Sequence, residues 1–204
     1  MRSRRRTWLY IALLILFTGV LIWSAIHPKD RSIWFYEAGP AVLGVALLGI
    51  LYKRFPLTPI SYVFIFIGGL ITLTGGHYTY QGVPWFDQFS DRNHFDRLGH
   101  AVQGIVSAAL LREIFIRRHV VKKAFLTTSV IGLCLAFSGG YEILEFLSGT
   151  IRKEEALEEF LGYQGDTWDT QWDMICALAG SILFLLFFHK TQDKQIQQIE
   201  KQKL

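Results

Sequence analysis

A few ionisable side chains stand at spacings that favour shared chemistry. Asp96 and His100 are four residues apart, as are Asp169 and Asp173, and Glu142 and Glu145 are three apart. On an α-helix each of these pairs projects from one face. His77 precedes them in the chain, at the end of an apolar stretch. Imidazole and carboxylate together suit a divalent metal: carboxylates favour Mg or Mn, and imidazole adds Zn or Fe. The candidate metal ligands are His77, His100, Glu142 and Asp173. The same groups suit general acid–base work, for which the candidate catalytic set is His100, Asp96, Glu142, Glu145, Asp169 and Asp173, with roles unassigned. No Gly-x-Ser-x-Gly, His-Glu-x-x-His or Walker loop accompanies them, so no named reaction class follows.

The elements that must position these residues are membrane-spanning helices. The 204-residue chain is 51% hydrophobic, and its apolar residues fall in long blocks. A bilayer core of about 30 Å needs about 20 apolar residues in a helix. Hydropathy predicts helices over residues 8–26, 33–52, 58–76, 97–116, 124–147 and 172–189. These consume most of the chain, so the fold class is an all-α membrane bundle of about six transmembrane helices, and residues 1–204 form one domain. The first apolar block is longer than a signal-peptide core and lacks a clean cleavage site, which predicts an uncleaved first helix. Cys134 and Cys176 lie inside apolar blocks, as packing residues rather than disulfide partners.

The basic residues give the orientation. With the N-terminus inside, 15 of the 21 Lys and Arg residues lie on the inner side, a strong positive-inside bias that places both termini in the cytoplasm. The net charge of +4 is then a property of retained loops, and no nucleic-acid partner is implied. Acids run the other way: only Glu113, Asp193 and Glu200 of 17 lie inside. Two long outer loops follow, near 77–96 and 148–171. The second holds Lys153–Leu161, whose apolar residues recur at helical spacing and predict a short interfacial helix. The C-terminal tail is polar and continues the last helix before fraying.

Ionisable groups at membrane depth are costly and face a bundle interior or a watery cavity. Glu142 and Glu145 lie deepest. The pattern thus predicts an outward-facing polar pocket among helices three to six, with Glu37 either joining it or reaching outward. The plainer account is structural: Asp96 and Asp173 suit helix N-termini, and Arg92, Arg97 and Arg152 can pair with neighbouring acids. Gly132, Ala136 and Gly140 form a small-residue face on the fifth helix, suited to close helix packing.

Several motifs carry a family resemblance. His77-Tyr-Thr-Tyr80 with Val83-Pro84, Asn93-His-Phe-Asp-Arg97 with His100, Tyr141-Glu142-x-x-Glu145-Phe146, and Gly165-Asp-Thr-x-Asp169-x-x-x-Asp173 resemble the YjdF-type family of bacterial inner-membrane proteins. The resemblance spans nearly the whole chain and implies a multi-pass inner-membrane location, but it brings no biochemical activity with it. A looser likeness is to VanZ-like membrane proteins, associated with resistance to a glycopeptide antibiotic. Asp96-Arg97-x-x-His100, Glu142-x-x-Glu145 and Asp169-x-x-x-Asp173 with Gly180 follow that pattern, with Glu145 in place of Gln and Ala177 in place of Asn. That likeness groups Asp96, His100, Glu142, Asp169 and Asp173 together.

The expected function is that of a polytopic inner-membrane protein with an outward-facing Asp/Glu/His pocket and no assigned biochemical activity; the first hypothesis for it is an enzyme, metal- or acid–base-dependent, acting on a lipid or cell-envelope molecule at the outer leaflet. A divalent metal is the candidate cofactor, and the bilayer is the constant partner. The alternatives are a small-solute or ion transporter, or a structural scaffold.

Overall fold

The computed structural model describes residues 2–84, 86, 92–151 and 164–202. Among them are seven α-helices and no strand: α1 (Arg2–Ala25), α2 (Arg31–Leu51), α3 (Pro59–Tyr78), α4 (Phe95–Arg118), α5 (Leu126–Ile151), α6 (Asp169–Phe187) and α7 (His189–Glu200). The first six cover the expected spans. The interfacial helix expected over Lys153–Leu161 lies outside the described residues.

Five of these helices, α1, α2, α3, α5 and α6, are long and apolar enough to cross a membrane. With 24 residues α4 has the length, but Asp96, Arg97, His100, Arg112, Glu113, Arg117 and Arg118 break its hydropathy. Its charges are confined to its two ends. Between them Gly104, Ala108 and Ala109 are buried.

The centre of the bundle is the crossing of α4 and α6. A Cβ on Gly104 would stand 1.9 Å from the carbonyl oxygen of Ala177, and one on Gly180 would stand 1.9 Å from that of Ala101. Backbone therefore meets backbone at both places, which only glycine allows. Phe184, fully buried, continues the contact toward the opposite end, packed with Ala108, Ala109, Val130 and Cys134. The remaining helices dress this pair: α5 against both, α3 against α4 with its Phe64 reaching Phe184 of α6, and α1 and α2 on α3. The expected small-residue contact on α5 is not used among the described residues. Cβ atoms on Gly132 and Gly140 would meet open space, and it is Val130, Cys134 and Ser138 that turn inward.

Two helix starts have identifiable caps. Asp30 caps α2, its carboxylate accepting from the Ile33 amide at 2.9 Å. The cap of α3 comes from elsewhere: Glu113 on α4, fully buried, accepts the amide of Thr58 at 2.9 Å, both hydroxyls of Thr58 and Ser61 at 2.7 Å, and Arg117 at 2.6 Å. A carboxylate at a helix N-terminus also complements its dipole.

The tail does not fray where it leaves α6. It breaks at Phe188 and forms α7, with Gln192, Ile196 and Ile199 buried. Gln192 donates to Ala109 O at 2.7 Å and to Ser61 at 3.2 Å, and accepts from Arg112 at 2.9 Å. The amphipathic spacing of Gln192, Ile196 and Ile199 is what docks the tail on the Glu113 end. Arg6 of α1 donates to Gln202, so both chain ends meet at that end.

Candidate functional site

The α4–α6 crossing positions the polar cluster. His100 lies one turn before Gly104, and Asp173 lies one turn before Ala177. Close backbone approach at the crossing therefore brings these two side chains together just beyond it. Asp96 stands a further turn out on α4, and α5 delivers Glu142 and Glu145 beside them. The Nε2 of His100 is 3.5 Å from Glu142 Oε1 and 3.7 Å from Asp96 Oδ1. Two overlapping groups result. Asp96, His100 and Asp173 each offer a ligand atom within 4.8 Å of the others, and so do His100, Glu142 and Glu145.

Three of these groups each keep one unsatisfied polar atom. His100 is 4% exposed, Glu142 8% and Asp173 1%. Yet His100 Nδ1, Glu142 Oε1 and Asp173 Oδ1 have no hydrogen-bond partner among the described residues. Buried polar atoms are nearly always paired, so orphans in one place call for an explanation.

Glu37 joins this end of the bundle from α2. It is buried, and accepts from Tyr80 at 3.0 Å and from Tyr141 at 3.3 Å. The glycine pair that ends α3 makes room for this arrangement. A Cβ on Gly75 would stand 2.4 Å from the Tyr80 ring, and one on Gly76 would stand 2.9 Å from the Cβ of Glu37. Thr79 and Tyr80 both adopt left-handed backbone (φ 61° and 49°), which folds the Tyr80 ring back over Gly75.

Two residues of the sequence-derived set go elsewhere. His77 turns away, toward α1. Its Nδ1 is 3.0 Å from the Ser24 carbonyl, and its ring lies on Trp23 with centroids 4.6 Å apart. A helix end has several faces, and the spacing of a lone histidine does not say which one is used. Asp169 is engaged in a structural network. It pairs with Arg92, while Arg97 pairs with Asp166 and lies over the Trp172 ring at 5.4 Å. Asp166 also accepts the Trp168 amide at 2.9 Å. That amide bond, followed by Arg97 and Arg92, holds the Asp166 carboxyl below the usual carboxylate range. Partial burial, then Arg97 and Arg92, lower the pKa of His94. The salt-bridge alternative therefore describes the rim, and the orphaned cluster lies beneath it.

The rim is also tied by Asn93, which is buried. Its side chain donates to Val83 O at 2.8 Å and Gln81 O at 3.1 Å, and accepts the Phe95 amide at 3.0 Å. Gln164 exchanges two bonds with the Asn93 backbone, at 2.8 and 3.0 Å. Neither residue announces this role by type or spacing. The same is true of Tyr80 and Tyr141, which stand out in the sequence only as members of motifs.

No solved structure matches the chain significantly. The "Inner membrane protein YjdF" of Escherichia coli (strain K12) is 37% identical over 186 residues, covering 88% of each chain. The resemblance read from the motifs is thereby borne out, and the chain is a multi-pass protein of the inner membrane. A family model described as "Predicted membrane protein (DUF2238)" matches residues 9–194, and the chain belongs to that family.

Proposed function

We propose that this chain is an inner-membrane enzyme that holds a divalent cation between α4, α5 and α6 and acts on a lipid or cell-envelope molecule at the outer face. The observation that carries this reading is the set of orphaned, buried ligand atoms on His100, Glu142 and Asp173. Asp96 and Glu145 complete the donor set, which is one imidazole among carboxylates. Such a set suits Mn, Fe or Zn. A cation held there would activate a water or polarise a substrate oxygen.

In this reading α4 is the sixth crossing. Its 24 residues span about 36 Å at 1.5 Å per residue, and its charges lie at the two ends. The meeting of Arg6 with Gln202 supports termini on one side, and the excess of basic residues at that end supports the cytoplasmic side. The whole chain then acts as one domain. The buried middle of α4, with Gly104, Ala108 and Ala109 against its neighbours, favours chemistry at one face over a polar path for transport.

The test is the metal content of detergent-purified protein, prepared without chelator, for wild type, His100→Ala and Glu142→Ala. About one metal per chain in the wild type and none in either variant is the expected result. A metal-free wild type overturns the cation site.

A further inference from the structure

Of the cluster, Asp96 and His100 line a cleft of about 490 Å³ between α2 and α4. Glu37, Tyr80, Asp96, His100 and Tyr141 line one end, and Val45, Leu48, Ile65, Val106 and Leu110 line the rest. On α2 the lining runs from Tyr36 to Leu48, about 18 Å at 1.5 Å per residue. The hydrocarbon core is about 30 Å thick, so the cleft is roughly one leaflet deep. Its α2 side is open. Tyr36 and Leu47 are exposed, and a Cβ on Gly44 would meet nothing within 4 Å. An apolar slot of leaflet depth that opens sideways in a membrane, and ends on polar groups, has the shape of a lipid with its head at the polar end.

The charge at that end selects the head. Glu37 is buried with two tyrosine hydroxyls on its oxygens and no cation paired with it among the described residues. Asp96 lines the same end. The nearby arginines are turned to the rim, Arg92 toward Asp169 and Arg97 toward Asp166. His100, only 4% exposed, lines the cleft and keeps an unpartnered Nδ1. A divalent cation held by His100 and its neighbours would offset part of that cluster's negative charge and would leave Glu37 outside it. An ammonium group beside Glu37 would meet its carboxylate and the hydroxyl oxygens of Tyr80 and Tyr141.

We propose that the cleft takes one chain of a lipid carrying an amine head, and that Glu37 with Tyr80 and Tyr141 receives its ammonium. This names the substrate class of the proposed enzyme and rests on that reading for its role in turnover. Binding itself is separable from the metal.

The test is native mass spectrometry of the full chain in detergent, titrated with phosphatidylethanolamine or phosphatidylglycerol of identical acyl chains, after chelator treatment. The wild type should favour phosphatidylethanolamine by about tenfold or more, the weight of a hydrogen bond to a charged group. Gly44→Leu fills the slot from an open helix position and should lower binding of both lipids by about tenfold. Glu37→Gln, which keeps the shape and an acceptor for one of the two tyrosines, should bring the two lipids to parity while thermal stability is largely kept. Equal binding of the two lipids by the wild type, or undiminished binding by Gly44→Leu, overturns the proposal. Selective lipid binding by a protein that proves metal-free would leave this inference standing and remove the metal reading alone. A metal-loaded protein without lipid preference would do the reverse.

Discussion

Gly104 on α4 touches the carbonyl oxygen of Ala177 on α6 so closely that a single added methyl would lie 1.9 Å from it. One turn away, His100 meets Asp173. The contact and the site are thus two parts of one geometry, and Gly104→Ala must move both. Overpacking of this kind costs about 1–3 kcal/mol, and here the neighbour is backbone and cannot yield easily. Thermal unfolding in detergent should fall by several degrees for Gly104→Ala and Gly180→Ala. Gly132→Ala, in open space on α5, should leave it within about 0.5 kcal/mol of wild type.

Glu113 holds the other end. Its carboxylate serves Thr58, Ser61 and Arg117 together from a fully buried position. Glu113→Ala leaves the Thr58 amide and the Arg117 guanidinium without this partner, and should cost about 3–5 kcal/mol. Glu113→Gln retains an acceptor and should cost less. Unfolding midpoints of the two variants, measured side by side, check the order. Equal and negligible losses would mean that the cap is dispensable.

Asn93 and Gln164 tie the loop after α3 to the segment before α6. Asn93→Ala removes the bonds to Gln81 O and Val83 O, worth about 1–3 kcal/mol if those acceptors stay buried. Limited proteolysis should cut the variant faster near residues 81–84, while α4 and α6 remain protected.

The rim should also loosen in acid. The pKa of His94 lies below its ordinary 6.5 when folded, so protonation is harder in the folded state. Stability is therefore complete above 6.5 and declines as pH falls toward the lower folded value. Asp166 has the same sign lower down. Its folded pKa lies below 3.8, so its contribution is complete above 3.8 and is lost as pH falls through the folded value. Proteolysis of the rim against pH should show the first step in wild type but not in His94→Gln. Asp166→Asn should lose the second.

The proposed topology gives a further outcome. A green fluorescent protein fused after Leu204 should fluoresce, and alkaline phosphatase inserted at residues 152–163 should be active. The opposite pair of results would invert the bundle and turn the cluster toward the cytoplasm.

Much of this molecule is legible in its amino-acid order alone. Long apolar blocks locate the five helices that are long and apolar enough to cross a membrane, because the thickness of a bilayer and the rise of a helix leave few alternatives. Spacing of four puts Asp96 with His100 and Asp169 with Asp173, and hydropathy places Glu142 and Glu145 at the same depth. Depth along a helix is written in the order of residues. Direction around it is not, since that depends on which neighbour lies where. Tertiary packing therefore decides that His77 faces Ser24 on α1, that Asp169 is claimed by Arg92, and that Glu37 meets Tyr80 and Tyr141. It also decides that Glu113, in the sequence merely an acid on the inner side, caps a helix whose first amide partner lies 55 residues away. Gly104 and Gly180 set that packing. Their effect is an absence of side chain, which gains meaning only when a second backbone arrives to fill it.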